Sequence, residues 1–364
     1  MIVEKCFSPD WITEQKNKGL SANRPIIEKS IRALALLGHL AETGLDFVFK
    51  GGTSLLLHLE PIRRLSIDID ILCGIPGEML TGELEKISRL PPFTGFSEDE
   101  RGERGLPRRR HFRFNYAPIE KGDPQPYILL DVVEENDCPL PLTSLPIQAG
   151  FIENNRDVWV KIPTVEGLLG DKLTAFAPNT IGVPFDSPSR VSQSLQVAKQ
   201  MFDVGELFNA ARNTAEVIQA YTGSAKKEAS YRENQFGIED SLSDTIGTCL
   251  SFCGQGLKNF PADENAAKLI QGCKSLQNHL VKCKFNPVME AKSAAAKSAC
   301  IAAIILADKN DLRIQDIRFD ASRIGELMKK NLEGRYSALA KLRNANPESF
   351  YYWTLVQDVL GTGE

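Results

Sequence analysis

Hydrophobic and polar positions divide the chain into two stretches of different rhythm. Residues 25–43, "PIIEKSIRALALLGHLAET", carry apolar positions at helical spacing and predict an amphipathic helix. "FVFK" then predicts a short strand and "GG" a turn. "TSLLLHLE" predicts a short helix with Thr53 or Ser54 as its N-cap and Pro61 closing it. "RLSIDIDIL" alternates with period 2 and predicts a second strand. Residues 78–90 predict another helix, and the Pro-, Gly- and charge-rich segment 91–107 predicts a loop. "RRRHFRFNYAP" alternates like an edge strand, and "PYILLDVVEEN" reads as a buried strand carrying one acid, Asp131.

After Pro163 the strand signals fade. "TVEGLLGDKLTAFA", "SQSLQVAKQMFDVGELFNAA", "AAKLIQGCKSLQNHLV" and "AKSAAAKSACIAAIILADK" all follow helical spacing. The pattern predicts an α/β (α+β) chain: a mixed-sheet domain with N-terminal helices over residues 1–162, then a mostly helical domain over residues 163–364.

Composition narrows the class. With 364 residues, 42% hydrophobic and 25% charged, the chain can bury a real core. A net charge of -4 excludes a strongly basic nucleic-acid scaffold but leaves room for local basic patches. The start, "MIVEKCFSPDW", lacks a basic region followed by an apolar run. The apolar run "ACIAAIILA" is far shorter than the roughly 20 residues that span a bilayer. A cytoplasmic protein with no membrane partner is expected. The eight cysteines are scattered, and Cys249 and Cys253 are the one close pair. They are expected to be reduced thiols packed as small hydrophobes, with a zinc site as the alternative.

The chemistry concentrates in residues 47–74. In a strand, Ser66, Asp68 and Asp70 share one face while Ile67, Ile69 and Ile71 share the other. The two carboxylates would stand about 6 to 7 Å apart at Cα, so their repulsion calls for a cation between them. Mg²⁺ takes oxygen ligands and commonly combines carboxylates with substrate phosphates. "KGGTS" runs from strand to helix. Glycine allows close approach of backbone to a phosphate, and a helix N-terminus offers unpaired N–H groups. The stretch is not a Walker A loop, because the Gly-Lys-Ser/Thr ending is missing. Either half alone would be a plain turn or an exposed strand. Their order, with Asp131 on a later strand, is far more specific.

"GGT…RLSIDID" resembles the nucleotidyltransferase superfamily. "FKGGTSL" with Arg64, Ser66, Asp68 and Asp70 is similar to the AbiEii/AbiGii nucleotidyltransferase-like toxins of bacterial toxin–antitoxin pairs. "LLGDKLTAFAPNTIGVP", with Lys172, and "AKQMFDVGEL", with Lys199 and Asp203, resemble two further motifs of that family. Gln200 departs from the second, where the family has Asp.

The resemblance implies metal-dependent transfer of a nucleoside monophosphate from an NTP, with the tRNA 3′ end as acceptor and a cognate antitoxin as partner. It implies that Asp68, Asp70 and Asp131 hold magnesium in a two-metal site, Asp131 helping to activate the attacking hydroxyl. Gly51, Gly52 and Thr53 would cradle phosphates, with Arg64 and Ser66 part of the nucleotide site. Lys172 would neutralise phosphate charge, and Asp203 would orient it or the nucleotide.

Six arginines, Arg101, Arg104, Arg108, Arg109, Arg110 and Arg113, could grip an RNA backbone, or could form a solvated loop that blunts a sheet edge. Two rival readings keep the fold. One transfers the nucleotide to a protein or small molecule; the other is a catalytically silent module that binds a nucleotide or partner.

Overall fold

The computed structural model describes all residues except 100–106, 120–125, 190, 259, 282–284, 287–288 and 363–364. The chain forms two compact units. The first comprises Met1–Cys138, Leu142–Thr164 and Asn278–Cys283; the second comprises Pro139–Pro141, Val165–Gln277 and Lys284–Glu364.

The first unit opens with helices α1 (Pro9–Asn17) and α2 (Arg24–Glu42), then β1 (Val48–Lys50), α3 (Gly51–His58), β2 (Ile69–Leu72), α4 (Gly77–Ile87), β3 (Phe93–Glu98), β4 (Arg109–Tyr116) and β5 (Tyr127–Val133). The five strands form one mixed sheet in the order β1-β2-β5-β4-β3. β2 and β5 run parallel, and every other neighbouring pair is antiparallel. A separate hairpin joins β6 (Leu142–Pro146) to β7 (Trp159–Pro163).

Period 2 places the core. Phe49, Ile69, Ile71, Phe112, Phe114, Ile128, Leu130 and Val132 are buried on one sheet face, in one core with Ile27, Ile31 and Leu34 of α2. Each such side chain contributes about 1.5–3 kcal/mol by leaving water. The alternate positions Asp70, Leu129, Asp131 and Val133 are only partly covered and belong to the other face.

Four expectations about local structure need correction. Residues 93–98 form a strand and not a loop, because Phe93 and Phe96 pack on Phe112 and Phe114 at ring-centroid distances of 5.4 to 6.2 Å. The Pro and Gly signals misled there; Gly95 sits at a register shift in the β3–β4 ladder. β4 is therefore an inner strand, and β3 is the edge. The strand expected over 64–72 is confined to Ile69–Leu72. The residues before it pair instead with the returning segment, Leu65 N–H donating to His279 O at 2.8 Å and Val281 N–H to Arg63 O at 2.7 Å. Finally, α3 begins at Gly51, so Lys50 is its N-cap and neither Thr53 nor Ser54 caps it.

The second unit contains α5 (Val165–Ala175), α6 (Ser194–Ala210), α7 (Thr214–Ser230), α8 (Ile238–Gly254), α9 (Glu264–Leu276), α10 (Glu290–Leu306) and a last helix, Pro347–Leu360. The Ala-rich α10 is the central post: residues 291–305 are all buried, and it packs on α6, α8 and the last helix. Cys6, Cys73, Cys249, Cys253, Cys273 and Cys300 are free and buried, and Cys138 is free and partly buried. Burial pushes the Cys253 thiol up to about 11 and the Cys273 and Cys300 thiols to about 12. These are packed thiols, not nucleophiles. Cys283 lies outside the described residues.

Candidate active site

Strand register assembles the site in the first unit. Asp70 of β2 lies directly opposite Asp131 of β5 in the parallel ladder. Such strands are about 4.8 Å apart, so the two carboxylates leave the sheet side by side on one face. Lys50 of β1 lies opposite Asp70, and His111 of β4 lies opposite Asp131. The row Lys50, Asp70, Asp131, His111 thus crosses four strands. His111 Nδ1 is 2.5 Å from Asp131 Oδ1, and the imidazole is buried. A carboxylate only accepts, so the Nδ1 proton belongs to the imidazole.

The glycines explain their own presence. Gly51 has φ +76°, and a Cβ there would lie 1.9 Å from Asp70 Oδ2. A Cβ on Gly52 would lie 2.8 Å from Arg64 Nη2 and 3.1 Å from Ser66 Oγ. The double-glycine backbone therefore rests against the Asp70 carboxylate on one side and Arg64 and Ser66 on the other. Lys50 supplies no side-chain cap to α3, and the first-turn N–H groups lie outside the helix's own hydrogen-bond ladder. Thr53 and Ser54 are buried. Thr53 Oγ1 donates to the Asp68 carbonyl, and Ser54 Oγ donates to Gly51 O at 2.7 Å. Thr53 can meet a phosphate through its N–H alone, while its hydroxyl ties α3 to the acid-bearing segment. Asp68 lies one residue before β2 and is partly covered.

The donor set is one of hard carboxylate oxygens. Among the described residues, no three His, Cys, Asp or Glu side chains form a metal cage. Mg²⁺ commonly binds through one or two carboxylates plus substrate phosphates and water. The neighbouring pair Asp70 and Asp131 fits a magnesium ion that arrives with a nucleotide.

The second unit carries its own buried cluster. Lys172 of α5 is 3.3 Å from Asp203 Oδ2 and donates to Gln200 Oε1 at 3.2 Å, both acceptors on α6. Asp203 is wholly buried and Lys172 nearly so. At the departure from the family motif, Gln200 therefore offers Lys172 a neutral amide oxygen.

The arginines do not form one patch. Arg110 makes a two-pronged pair with Glu98 at 2.7 and 2.8 Å and also donates to Thr81 and to Gly77 O. Arg108 pairs with Glu134 at 2.8 Å. Arg113 pairs with Asp99 at 2.8 Å and lies 5.1 Å over the Tyr127 ring. Arg109 is exposed, on the His111 side of β4. Arg101 and Arg104 lie outside the described residues.

Sequence reasoning missed His111 and the position of Lys50. Both stand on period-2 strands opposite an acid, but cross-strand register is not written in one strand's pattern.

Residues 35–266 match a family described as the nucleotidyl transferase AbiEii toxin of a type IV toxin–antitoxin system. Among solved structures, the chain is similar to MenT4, a nucleotidyltransferase toxin from Mycobacterium tuberculosis H37Rv. The TM-score is 0.54 at 16% identity, covering 92% of this chain and 98% of that one. It is also similar to JHP933 from Helicobacter pylori, with a TM-score of 0.40 at 14% identity, covering 84% of this chain and 95% of that one. No curated protein matches. The MenT4 likeness bears on the fold, a mixed α/β sheet with many helices.

Proposed function

The chain belongs to the AbiEii nucleotidyltransferase toxin family, and from that premise we propose that it transfers a nucleoside monophosphate from an NTP to an acceptor hydroxyl, with the sheet face of the first unit as its transfer centre. The observation that carries this reading is the adjacency of Asp70 and Asp131, with the Gly51 backbone pressed against Asp70. The N–H groups of Gly51, Gly52 and Thr53 receive the phosphates at the start of α3. Arg64 and Ser66 support that turn through Gly52. Asp70 and Asp131 would hold magnesium between them, and Asp68, one residue before β2, is the third acid that the family motif implies. Bound there, magnesium would neutralise charge that develops on the triphosphate.

The chain's own groups do the positioning. Asp131 orients the acceptor hydroxyl and draws off its proton. The hydroxyl oxygen bonds to the α-phosphorus, the bond to the β-phosphate oxygen breaks, and pyrophosphate leaves. The family motif also implies a role in transfer for Lys172, which Asp203 and Gln200 hold within the second unit. The acceptor in this reading is RNA, at the tRNA 3′ end, and the protein acts in the cytoplasm under a cognate antitoxin. A second reading has one observation in its favour: Arg108, Arg110 and Arg113 are already paired with acids. A protein or small-molecule acceptor would not need them.

The test is incubation with each α-labelled NTP, Mg²⁺ and either total RNA or an RNA-free lysate. Label on tRNA-sized RNA supports the first reading. Label on protein alone moves the second ahead, and no label anywhere sinks both.

A further inference from the structure

We propose that His111 is a positioning residue for Asp131: its imidazole fixes the carboxylate that faces the reacting groups. This rests on the reading that Asp131 belongs to the transfer centre. The terminal torsion of an aspartate is broad, so a carboxylate on an open sheet face turns freely unless something holds it. Here one oxygen, Oδ1, is held by His111 Nδ1 at 2.5 Å. The Asp131 side chain keeps 30% of its exposure and the His111 side chain only 9%. The contact is therefore anchored from the buried side, and Oδ2 is the oxygen not engaged by His111.

Burying an imidazole costs free energy unless it is hydrogen-bonded, and a plain packing role would be met better by an apolar residue. The neighbours on the same face of β4 do not supply this hold. Arg113 is drawn to Asp99 and over Tyr127, and Arg109 is exposed. Hydrogen-bonding partners of this kind, behind a metal-binding carboxylate, are typically worth about 10- to 100-fold in metal affinity or activity.

The test compares His111→Ala with His111→Asn, whose amide nitrogen can take the place of Nδ1. Three readouts are used: the melting curve, Mn²⁺ binding followed by the free-ion paramagnetic resonance signal, and kcat and KM for the NTP. His111→Ala is expected to bind Mn²⁺ about 10- to 100-fold more weakly or to lose as much in kcat, with the KM for NTP little changed. His111→Asn should recover most of the loss. Wild-type behaviour of His111→Ala would overturn the proposal. So would equal damage in both variants while both melt like wild type.

If His111→Ala fails to fold, the ¹⁵N spectrum of the wild-type imidazole decides. A proton on Nδ1 that shifts in Asp131→Asn supports the contact, and a proton on Nε2 alone overturns it. A wild-type protein inert toward every NTP would sink the transfer reading itself. The Mn²⁺ comparison needs no turnover and separates the two failures.

Discussion

The carboxylate of Asp70 occupies the space that a Cβ on Gly51 would fill, 1.9 Å from Oδ2. That relationship joins the two halves of the sequence signature. The glycine is there because the acid is there, and the acid is held against backbone that opens a helix.

Gly51→Ala should therefore do two kinds of damage. Placing a Cβ at φ +76° costs about 1–3 kcal/mol. Pushing the Asp70 carboxylate aside by an ångström or more should lower transfer about 100-fold. Gly52→Ala meets side-chain ends alone, Arg64 Nη2 at 2.8 Å and Ser66 Oγ at 3.1 Å, and should be milder on both counts. Melting curves and turnover of the two variants check the order; equal damage would refute it.

The Lys172–Asp203 pair separates stability from activity. Asp203→Ala leaves a buried ammonium without its carboxylate and should cost about 3–5 kcal/mol. Lys172→Met with Asp203→Leu removes both charges and should recover part of that loss. Transfer should stay depressed in the double variant. Denaturant titration beside a turnover assay reads both, and wild-type turnover in the folded double variant would remove Lys172 from the mechanism.

Arg109 and Arg110 should behave oppositely. Arg110 beside Glu98 holds that carboxyl below its usual range. A depressed acid contributes stability above its unfolded pKa, which is lost as pH falls through the folded one. Arg110→Ala should therefore lower stability near neutral pH and remove part of the loss seen on acidification. Arg109→Ala should leave the melting curve alone and, if RNA is the acceptor, flatten the salt dependence of tRNA binding by up to about one unit. A pH series of melting curves and a salt titration of binding check the pair.

Much of the fold is legible in the sequence, for local reasons. The α2 pattern, the β5 strand and the helical run after Pro163 each follow one clean period. What failed is non-local. β3 hides behind Pro91, Pro92 and Gly95 because the aromatic packing that makes it a strand comes from β4. The Arg108–Arg110 triplet reads as one basic patch, yet strand alternation sends Arg109 and Arg110 to opposite faces. In the site, the acids and glycines stand out as residue types. His111 does not, because only the β4–β5 register brings it to Asp131.

The most direct measurement is pyrophosphate release from each NTP by the wild-type protein and by Asp70→Asn, with melting curves for both. Asn keeps the size of the Asp70 side chain and removes a charge beside Asp131, so the variant should still fold. Release should fall by about 1,000-fold or more, as expected when a group that holds several kcal/mol of transition-state charge is lost. An Asp70→Asn protein that melts like wild type and still releases pyrophosphate at the wild-type rate would contradict the transfer centre proposed here.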